Sequence, residues 1–515
     1  MDEHPHDAPQ QEIKAEDIFT QRLNKVQELK AAGIDPFGKR FDNVTLTAEL
    51  RKNYDESAAE QPPVRVAGRM TAFRAMGKSI FADVKDSSGR LQLYVNRQEI
   101  GDEAFALFKK FDIGDIIGVD GVLFTTRTGE LTLRASKITL LAKSLRPLPE
   151  KFHGLTDVEQ RYRQRYLDLI TNDESRAIFL KRSAIIHEVR KFLMDKGFIE
   201  VETPMLQAIP GGASANPFKT FYDALNSPMY MRIATELYLK KLLVGGFEKV
   251  FELNRNFRNE GVDRRHNPEF TAIEIYQAYS DCSGMMDLIE EMFTTIAMKV
   301  CGTLQIKHPN GTVIDLTRPW RRAPYAELIK EKAGADWYTL SHDEKFAKAT
   351  AMGAPVTKEM NDLEITHEIY DKLIEETLIQ PTFVTRLPAY LVPLAKRCED
   401  DPSVVDVYEL EINGQEISPG YSELNDPVDQ RKRFVEQALA EGKDLEDAID
   451  EDFLTAMEHG QPPAGGLGIG IDRMVMLLTG AESIRDVLLF PQMRIKSKGK
   501  AQDKEEAEVK ADPAK

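Results

Sequence analysis

The sequence predicts an α+β protein with at least two domains. Its 515 residues are more than one ordinary hydrophobic core accommodates. Residues 64–145 contain short runs in which apolar and polar side chains alternate, which is typical of half-buried β-strands. From about residue 176 the chain combines an amphipathic helix with further alternating runs, which indicates a second domain that contains both helices and sheet.

The composition excludes several classes of protein. Hydrophobic residues make up 42% of the chain, which is typical of a globular protein. The formal net charge of -16 gives no general attraction to nucleic acid, so any RNA or phosphate site must be a local basic patch. The cysteines Cys282, Cys301 and Cys398 lack the spacing of a zinc site or a disulfide framework, which fits a reducing compartment. No signal peptide or membrane span is visible, so we expect a cytoplasmic protein without membrane contact.

Residues 1–62 are predicted to form an N-terminal arm and a helix. The arm covers roughly the first 15 residues, and the helix begins near Asp17 and ends at Gly33. In residues 63–145, five alternating runs follow, with the helical segment DEAFALFKKF between the third and the fourth. Five strands with a helix at that place is the order of an OB-fold β-barrel, and OB-folds commonly bind single-stranded nucleic acid.

Residues 146–175, which begin near RPLPEKFHG, are predicted to be a linker, and residues 176–494 a larger domain. The segment SRAIFLKRSAIIHEVRKFLMDKG predicts an amphipathic helix that ends at Gly197, and FIEVETPML predicts a strand that ends at Pro204. Residues from about 283 to 380 are predicted to be a mostly helical insertion. The charged tail, residues 495–515, is low in hydrophobic residues and is predicted to be disordered.

The stretch FRNEGVDRRHNPEF, residues 257–270, lies between two alternating runs, so it is predicted to be a loop between antiparallel strands. Its charges fit a solvated hairpin loop. They also fit a polyanion site, because Arg258 and Glu260 lie two residues apart on one face. The cluster Arg264, Arg265 and His266 meets no turn requirement, and guanidinium groups bind phosphate oxygens in pairs.

The stretch GLGIGIDRMVML, residues 466–477, alternates glycine with apolar residues and continues as a helix from about Asp472. Such glycines mark the close approach of a ligand or of backbone, or they belong to an ordinary glycine-rich core strand. The segment Gly77-Lys78-Ser79 lacks the upstream glycine of a P-loop, because residue 72 is Ala. Any nucleotide site of this chain is therefore not a P-loop.

The stretch VYELEINGQEIS, residues 407–418, predicts a β-hairpin, since Asn413-Gly414 is a strong signal for a type I′ turn. A two-residue turn there places Glu411 opposite Glu416, with Glu409 diagonal to Glu416 on the same face. Like charges that face each other destabilise a sheet, and three carboxylates on one face favour a hard cation such as Mg²⁺. A solvated polar face is the alternative interpretation.

Together these stretches resemble a known family. GFIEVETPML, FRNEGVDRRHNPEF and GLGIGIDRMVML are similar, in order and spacing, to motifs 1, 2 and 3 of class II aminoacyl-tRNA synthetases. PGGASANPF, MRIATELYLKKLLVGGFEKVFELNRNFRNEG and YSELNDP resemble the lysyl-tRNA synthetases of the bacterial type. The resemblance runs from about residue 16 to residue 494. It implies a catalytic domain built on an antiparallel β-sheet flanked by helices, beside an OB-fold domain that binds the anticodon.

The resemblance also implies roles for individual residues. For the phosphates of ATP it implies Arg258 at the α-phosphate, with Arg265 and His266 at the outer phosphates. For adenine it implies Glu260 at the amino group, with Phe270 and Arg473 on the two faces of the ring. Of these residues, Arg258, His266 and Arg473 would be catalytic. For lysine it implies Gly212, Glu236 and Glu274 around the α-amino group, and Tyr276 and Glu423 around the side-chain ammonium. Glu409 and Glu416 match Mg²⁺ ligands. Arg74, Phe81, Gln92 and Glu130 match positions that read the anticodon.

The implied reaction joins L-lysine to ATP, releases pyrophosphate, and transfers lysine from the adenylate to the 3′ end of tRNA(Lys). The implied cofactor is Mg²⁺, with more than one ion per site, and the implied assembly is a homodimer. Three positions depart from the family pattern. Ser418-Pro419 replaces Gly-Asn, Val392 replaces Ser, and Glu411 stands where aromatic residues are common.

Three other interpretations are open at this point. An aspartate- or asparagine-specific class II enzyme has the same two-domain layout, but its pocket needs cationic groups, whereas the residues implied here are carboxylates. A stand-alone relative that modifies an elongation factor lacks the anticodon domain that this chain has. A non-catalytic RNA-binding or regulatory protein derived from a synthetase typically loses the motif arginines, and this chain retains Arg258 and Arg473.

Overall fold

The structure of the protein, a computed structural model, describes residues 15–149, 157–440 and 449–494, together with residues 155, 442 and 445. The chain divides into two compact units, one that extends to residue 154 and one that begins at residue 155. The predicted arm before residue 15 and the predicted tail of residues 495–515 lie outside the described residues. Among the helices described, none is long and apolar enough to cross a membrane.

The N-terminal unit is a closed barrel, and it confirms the predicted OB-fold. Its described strands are β1 (Pro63–Met76), β2 (Ser79–Lys85), β3 (Arg90–Asn96), β4 (Ile116–Thr125) and β5 (Leu131–Ala142). They follow the order β1-β2-β3-β5-β4 around the barrel. The helices are α1 (Ala15–Ala31), α2 (Thr47–Asn53), α3 (Arg97–Ile100) and α4 (Asp102–Phe108). The last two lie between β3 and β4, where the sequence predicts a helix.

The alternation of side chains in β2 separates the two faces of the barrel wall. Ile80, Ala82 and Val84 are fully buried in the barrel core. Phe81 lies between them in sequence, is half-buried, and does not belong to that core cluster. Because successive strand residues face opposite sides, Phe81 lies on the outer face of the barrel.

The second unit contains a large, mostly antiparallel sheet. The described strands of this unit are β6 (Ile199–Glu200), β7 (Leu206–Gln207), β8 (Lys219–Tyr222), β9 (Ser227–Met231), β10 (Lys249–Phe257), β11 (Glu269–Ala278), β12 (Gln305–Lys307), β13 (Val313–Asp315), β14 (Arg321–Pro324), β15 (Thr382–Thr385), β16 (Val407–Glu411), β17 (Glu416–Ser422) and β18 (Ala464–Gly470). The large sheet has the order β14-β15-β16-β17-β18-β11-β10-β6. Only its edge pairs, β14 with β15 and β10 with β6, are parallel within the described strands. This agrees with the predicted fold class.

The described helices of the second unit surround this sheet. They are α5 (Val158–Arg163), α6 (Arg165–Thr171), α7 (Asp173–Asp195), α8 (Glu236–Val244), α9 (Cys282–Cys301), α10 (Tyr325–Ala333), α11 (His342–Ala351), α12 (Asp362–Leu373), α13 (Pro427–Ala440), α14 (Glu451–Glu458), α15 (Ile471–Thr479) and α16 (Ile484–Val487).

The main core lies between one face of the sheet and three helices. Ile185 of α7, Ile289 of α9 and Val475 of α15 are fully buried in one cluster with Phe251 and Ile273 of the sheet. The α7 residues at 185, 189, 192 and 193 follow helical spacing, so the amphipathic pattern of the sequence marks the face that is buried. The residues that alternate with the core residues along β11 face the opposite side of the sheet.

Three local features differ from the sequence-based expectations. The predicted strand FIEVETPML is interrupted between β6 and β7, because the backbone N–H and hydroxyl of Thr203 donate to the Glu252 carboxylate (3.1 and 2.7 Å) instead of extending a ladder. The predicted linker contains α5 and α6, held by the buried ion pair of Arg165 and Asp168 (2.7 Å). The stretch of residues 283–380 contains helices and also β12, β13 and β14.

Candidate active site

A cavity of about 290 Å³ lies on the face of the sheet opposite the main core. Strands β10, β11, β17 and β18 adjoin it. Most of the predicted catalytic, ATP-binding and lysine-binding residues and one predicted metal ligand, Glu416, line this cavity: Gly212, Glu236, Arg258, Glu260, Arg265, His266, Phe270, Glu274, Tyr276, Glu416 and Arg473. Glu409 and Glu423 are not among its described lining residues. The tertiary structure therefore brings together residues that are up to 261 positions apart, from Gly212 to Arg473.

The predicted loop between antiparallel strands is confirmed by the pairing of β10 with β11, in which Phe257 lies opposite Glu269. The backbone N–H of Arg258 donates to the carbonyl of Pro268 (2.9 Å), so Arg258 extends the hairpin by one residue. Burial lowers the pKa of the Arg258 guanidinium, which still carries its charge at neutral pH. Its Nε has no hydrogen-bond partner within the described ranges. A partly buried cation with an open donor favours an anionic ligand at this position.

The Arg258 guanidinium lies 5.1 Å from the centre of the Phe270 ring, in a cation–π contact. The ring is half-buried at the start of β11 and borders the cavity. Glu260 accepts a hydrogen bond from the backbone N–H of Asn216 (3.3 Å), which ties the loop to the segment that precedes β8. These contacts hold the Arg258 end of the loop in place before any ligand binds.

The other end of the loop is organised by Asp263. One carboxylate oxygen of Asp263 accepts the backbone N–H groups of Arg265 (2.6 Å) and His266 (2.7 Å), and the other lies 2.8 Å from Nδ1 of His266. Nε2 of His266 lies 3.2 Å from Nη2 of Arg473. If Nδ1 carries the proton that Asp263 accepts, Nε2 accepts from Arg473, so Asp263 orients both His266 and Arg473. Burial raises the pKa of Asp263 and its hydrogen bonds to His266 and the loop amides lower it, with a net lowering.

Strand β18 and helix α15 confirm the predicted change from a glycine-rich strand to a helix at residues 470–471. Gly466 is required by a close approach. A Cβ added there would lie 2.0 Å from an oxygen of Glu423 and 2.5 Å from the Tyr276 ring. Glycine, which has no side chain, therefore leaves room for the Glu423 carboxylate beside the strand.

The predicted lysine pocket is rich in buried carboxylates. Glu236, Glu274 and Glu423 are all buried. Burial raises the pKa of Glu274 to about 7, although the backbone N–H of Thr235 donates to it (2.9 Å) and opposes the rise. The Tyr276 hydroxyl donates to the other oxygen of Glu274 (3.3 Å). Burial also raises the pKa of Glu423 to about 8, against the lowering effect of Lys240.

Lys240 of α8 is an internal counter-ion in this pocket. Its side chain is fully buried, with Nζ 2.6 Å from Glu236 and 2.5 Å from Glu423. Burial alone would lower the pKa of Lys240, but Glu236 and Glu423 outweigh it and raise that pKa. Nζ lies 5.5 Å from the centre of the Tyr421 ring, and the Tyr421 hydroxyl donates to Glu236 (2.7 Å). The carboxylates predicted for the two amino groups of lysine are thus joined by one protein ammonium.

Gly212 lines the same cavity with a φ of +84°, a conformation that favours glycine. A Cβ added there would lie 3.0 Å from Cβ of Glu236 and 3.2 Å from Cβ of Ala234. Both the backbone conformation and the space therefore require glycine. Its position places backbone polar groups close to the Glu236 side chain.

The β16–β17 hairpin contains the predicted metal ligands. Asn413 and Gly414 have φ of +58° and +66°, and Glu411 pairs with Glu416, so the predicted two-residue turn is confirmed. The predicted diagonal position of Glu409 is wrong. An extra residue in β17 shifts the register between Glu411 and Leu410, so Glu409 lies opposite Pro419.

These carboxylates crowd one another. Burial, then Glu416 and Glu375, raise the pKa of Glu409 to about 8 and that of Glu411 to about 10. One oxygen of Glu411 has no hydrogen-bond partner in the described part of the chain. No group of three or more His, Cys, Asp or Glu side chains among the described residues is arranged to hold a metal ion alone. The predicted ligands Glu409 and Glu416 do suit Mg²⁺, which takes one or two carboxylates and completes its shell with water and phosphate oxygens.

The three departures from the family pattern fall in different environments. Pro419 lines the cavity, where it offers no donor. Ser418 is fully buried, and its hydroxyl donates to the Pro419 carbonyl (3.3 Å). Val392 packs against the hydrophobic cluster of α10 and α12 and is not among the described residues that line the cavity.

The predicted anticodon residues lie on the outer face of the barrel. Cross-strand pairing aligns Arg74 with Phe81, and Phe81 with Tyr94, whose ring centre is 5.2 Å from that of Phe81. Gln92 accepts a hydrogen bond from the Thr132 hydroxyl (2.9 Å), and Glu130 from Arg90 (3.3 Å). These side chains therefore lie on, or directly before, the consecutive barrel strands β1, β2, β3 and β5.

Sequence reasoning missed several residues of these surfaces. Lys240 lies four residues after Glu236 on one helix, a spacing that signals an ion pair. Asp263 has no role that the family resemblance implies, and only its contact with His266 indicates one. Tyr94, Phe124 and Arg134 extend the aromatic and basic outer face of the barrel, with Arg134 4.9 Å from the Phe124 ring centre. Their alternation in β3, β4 and β5 is the sequence signal for that face.

Comparison with known proteins agrees with this arrangement. Residues 157–494 match the family model of tRNA synthetases class II (D, K and N), and residues 64–141 match that of the OB-fold nucleic acid binding domain. The chain therefore belongs to the class II aminoacyl-tRNA synthetases, which are ligases. Among its relatives, it is similar to the lysine–tRNA ligase of Carboxydothermus hydrogenoformans, with 52% identity over 92% of this chain and 97% of the relative. It is 51% identical to the lysine–tRNA ligase of Staphylococcus aureus, over 92% of this chain and 98% of the relative.

Proposed function

We propose that this chain is a lysine–tRNA ligase. It activates L-lysine with ATP and then transfers the lysyl group to tRNA(Lys). The observation that carries the proposal is the set of buried carboxylates Glu236, Glu274 and Glu423 beside a cavity that Arg258 lines. An amino acid with two ammonium groups offsets the desolvation of such carboxylates, whereas an aspartate side chain would add to their repulsion.

In the first step, a lysine carboxylate oxygen forms a bond to the α-phosphorus of ATP, and the bond from that phosphorus to pyrophosphate breaks. The lysine carboxylate is already ionised at neutral pH, so the step requires no general base. The protein contributes position and charge. Arg258 would bind the α-phosphate, His266 and Arg265 the outer phosphates, and Phe270 and Arg473 the adenine faces. The contacts from Asp263 to His266 and from His266 to Arg473 support the proposed positions of these groups.

The crowded carboxylates of the β16–β17 hairpin support a role for Mg²⁺. Glu409 and Glu416 would hold the ion together with phosphate oxygens, and the bound ion would supply neutralisation of the phosphate charge. Glu411 is a neighbour whose raised pKa keeps it protonated near neutral pH. Its position next to the pair supports a peripheral role.

In the second step, the 3′-hydroxyl of the terminal ribose attacks the lysyl carbonyl, and AMP leaves. The barrel would bind the anticodon through Arg74, Phe81, Gln92 and Glu130, because stacking and basic side chains are what single-stranded RNA requires. The aromatic pair of Phe81 and Tyr94 on the outer barrel face supports this role. The residue bounds of the arm, barrel, linker, catalytic domain and tail remain predictions, as does the cytoplasmic location.

We further propose a homodimer. The segment from motif 1 to β9 exposes large apolar side chains, including Ile199 (50%), Phe221 (53%) and Leu225 (67%). Such exposure is typical of a surface that a partner covers. Light scattering at micromolar concentration should give twice the mass of one chain, and a mass of 58.3 kDa would contradict the dimer.

The test of the function is ATP–pyrophosphate exchange with each standard amino acid. We expect exchange with lysine, and exchange with aspartate or asparagine alone would contradict the proposal. Arg258→Ala should reduce the lysine-dependent rate by roughly 100-fold or more, because it removes charge stabilisation at the reacting phosphate. Arg255→Ala is the matched control, since Arg255 is a partly exposed strand residue that pairs with Glu269 (3.5 Å). Near-normal exchange in Arg258→Ala would contradict the assigned role.

A further inference from the structure

A second cavity, of about 310 Å³, lies beside the loop that joins β10 to β11. Its polar lining residues are Arg264, Arg265, His308, Asn310, Asn413, Gln415 and Glu482. Met476 and Leu477 of α15, both buried, form the apolar part of its lining. Arg265 also lines the larger cavity, so the two cavities share a wall. The proposed ATP- and lysine-binding roles leave Arg264, Asn310, Asn413 and Gln415 without a function.

The second cavity is rich in hydrogen-bond donors. Neither Arg264 nor Arg265 forms a side-chain ion pair within the ranges that the structure describes. Gln415 is 5% exposed, and its side-chain amide makes no hydrogen bond there. Asn310 uses its carbonyl oxygen to accept from Thr312 (3.0 Å), which leaves its N–H groups available. Amide side chains that line a cavity without a protein partner, near two guanidinium groups, favour a ligand that supplies acceptors.

The charge balance of the cavity favours an anion. Arg264 and Arg265 contribute two positive charges, and Glu482 is the lining residue with a negative charge. Glu482 is exposed, and it forms no ion pair with either arginine within the described part of the chain. The cavity therefore has a net positive charge in a chain whose overall charge is -16. A local basic site of this kind attracts anions against the general field of the protein.

The donors are held in place by the backbone around them. The carbonyl of Arg264 accepts from the backbone N–H of Ile484 (2.8 Å), and the N–H of Arg265 donates to Asp263 (2.6 Å). Asn413 occupies the turn with a φ of +58°, and its N–H donates to the carbonyl of Ile379 (2.9 Å). The loop and the turn are thus anchored on both sides of the cavity. Such organisation reduces the entropic cost of binding a small ligand.

We propose that this second cavity binds inorganic pyrophosphate, the leaving group of the reaction, after it passes the shared wall at Arg265. The inference rests on the proposed function, because lysine activation is the step that breaks the bond between the α-phosphorus and pyrophosphate. The cavity volume is at the small end of the range of roughly 300–1,000 Å³ for ligand pockets, which suits a compact polyanion. Planar guanidinium groups bind its oxygens in pairs. Arg264, which the active site does not use, therefore acts in product release.

The test is equilibrium dialysis of radiolabelled pyrophosphate with the full chain. Lysine, Mg²⁺ and a non-hydrolysable ATP analogue at saturation occupy the larger cavity, so the measured binding reports the second cavity. We expect saturable binding to the wild-type protein. Arg264→Ala should weaken it roughly 10-fold through the loss of charge-assisted hydrogen bonds, and Glu482→Gln should strengthen it. Arg321→Ala is the matched control, because Arg321 is an exposed arginine that pairs with Glu331 (3.0 Å) far along the chain.

Several outcomes would overturn the inference. These are the absence of binding beyond the ATP cavity, binding that Arg264→Ala leaves unchanged, and an equal loss in Arg321→Ala. A rise in the KM for tRNA in Arg264→Ala, with unchanged pyrophosphate binding, would assign the cavity to tRNA phosphates instead. The dialysis involves no turnover, so its failure is distinct from a failure of the proposed function. That failure would show as a lack of lysine-dependent exchange in the wild-type protein.

Discussion

Lys240 joins the two ends of the proposed lysine pocket through one buried ammonium group. Its contacts with Glu236 and Glu423 are 2.6 and 2.5 Å long, and its side chain has no exposed surface. A buried ion pair adds little net stability, but the removal of one partner leaves the others uncompensated. Lys240 therefore lowers the pKa of Glu423 against the effect of burial and favours its ionised form, which suits the side-chain ammonium of the proposed substrate.

The first prediction compares two adjacent lysines. Lys240→Met should raise the KM for lysine at least roughly 10-fold, with a smaller change in the KM for ATP, and should lower the free energy of unfolding by about 3–5 kcal/mol. Lys241→Met is the control, because Lys241 pairs with the exposed Asp452 (2.6 Å) at the surface. Exchange kinetics and thermal unfolding provide the two measurements.

Equal effects in the two variants would show that Lys240 has no special role in the pocket. If Lys240→Met raised only the KM for ATP, Lys240 would act on the ATP site and not on the lysine pocket. A loss of stability without a change in the KM for lysine would reduce it to a structural residue.

At the scale of the element, the β16–β17 hairpin shows how local turn chemistry positions a charged site. Asn413 and Gly414 form the tight turn that places Glu411 against Glu416. The bulge in β17 then moves Glu409 out of the expected register. The hairpin therefore brings several acidic side chains together. Burial and mutual repulsion raise the pKa values of Glu409 and Glu411.

The second prediction separates the proposed metal ligands from their neighbour Glu411. Glu409→Gln should weaken Mg²⁺ binding roughly 10-fold or more in the presence of ATP, because it removes one of two carboxylate ligands. Glu411→Gln should change it less than about 3-fold, because burial raises the pKa of Glu411 to about 10 and a neutral amide resembles its protonated form. Titration calorimetry provides the measurement. Comparable losses in both variants would make Glu411 a third ligand.

At the scale of the whole molecule, the chain consists of two compact units with separate cores. The outer face of the barrel contains Phe81, and the cavity of the second unit contains the proposed ATP and lysine sites. A change on the barrel face should therefore affect the use of tRNA without an effect on lysine activation.

The third prediction tests this separation. Phe81→Ala should raise the KM for tRNA roughly 5- to 100-fold, since stacking contributes about 1–3 kcal/mol per base, and should leave lysine-dependent exchange unchanged. Phe105→Ala is the control for damage to the fold, because Phe105 is 3% exposed in the barrel core and its loss should cost about 3–5 kcal/mol of stability. If Phe81→Ala lowered stability as much as the control does, Phe81 would be a core residue.

The sequence by itself determined the features that depend on neighbours along the chain. Period-two alternation predicted the five strands of the barrel, the Asn413-Gly414 pair predicted the hairpin turn, and the motif residues predicted most of the cavity lining. These signals are readable because strand faces, turns and helix faces depend on spacings of a few residues.

Only the tertiary structure decided which distant side chains meet and how deeply they are buried. The contact of Lys240 with Glu423 joins residues 183 positions apart, and that of His266 with Arg473 joins residues 207 positions apart. Tertiary packing also produces the bulge that moves Glu409. It likewise produces the second cavity, which lies beside Arg264. No local pattern encodes these meetings, because they result from the packing of the whole sheet with its helices. Burial then sets the pKa values and charge balance on which the proposed chemistry depends.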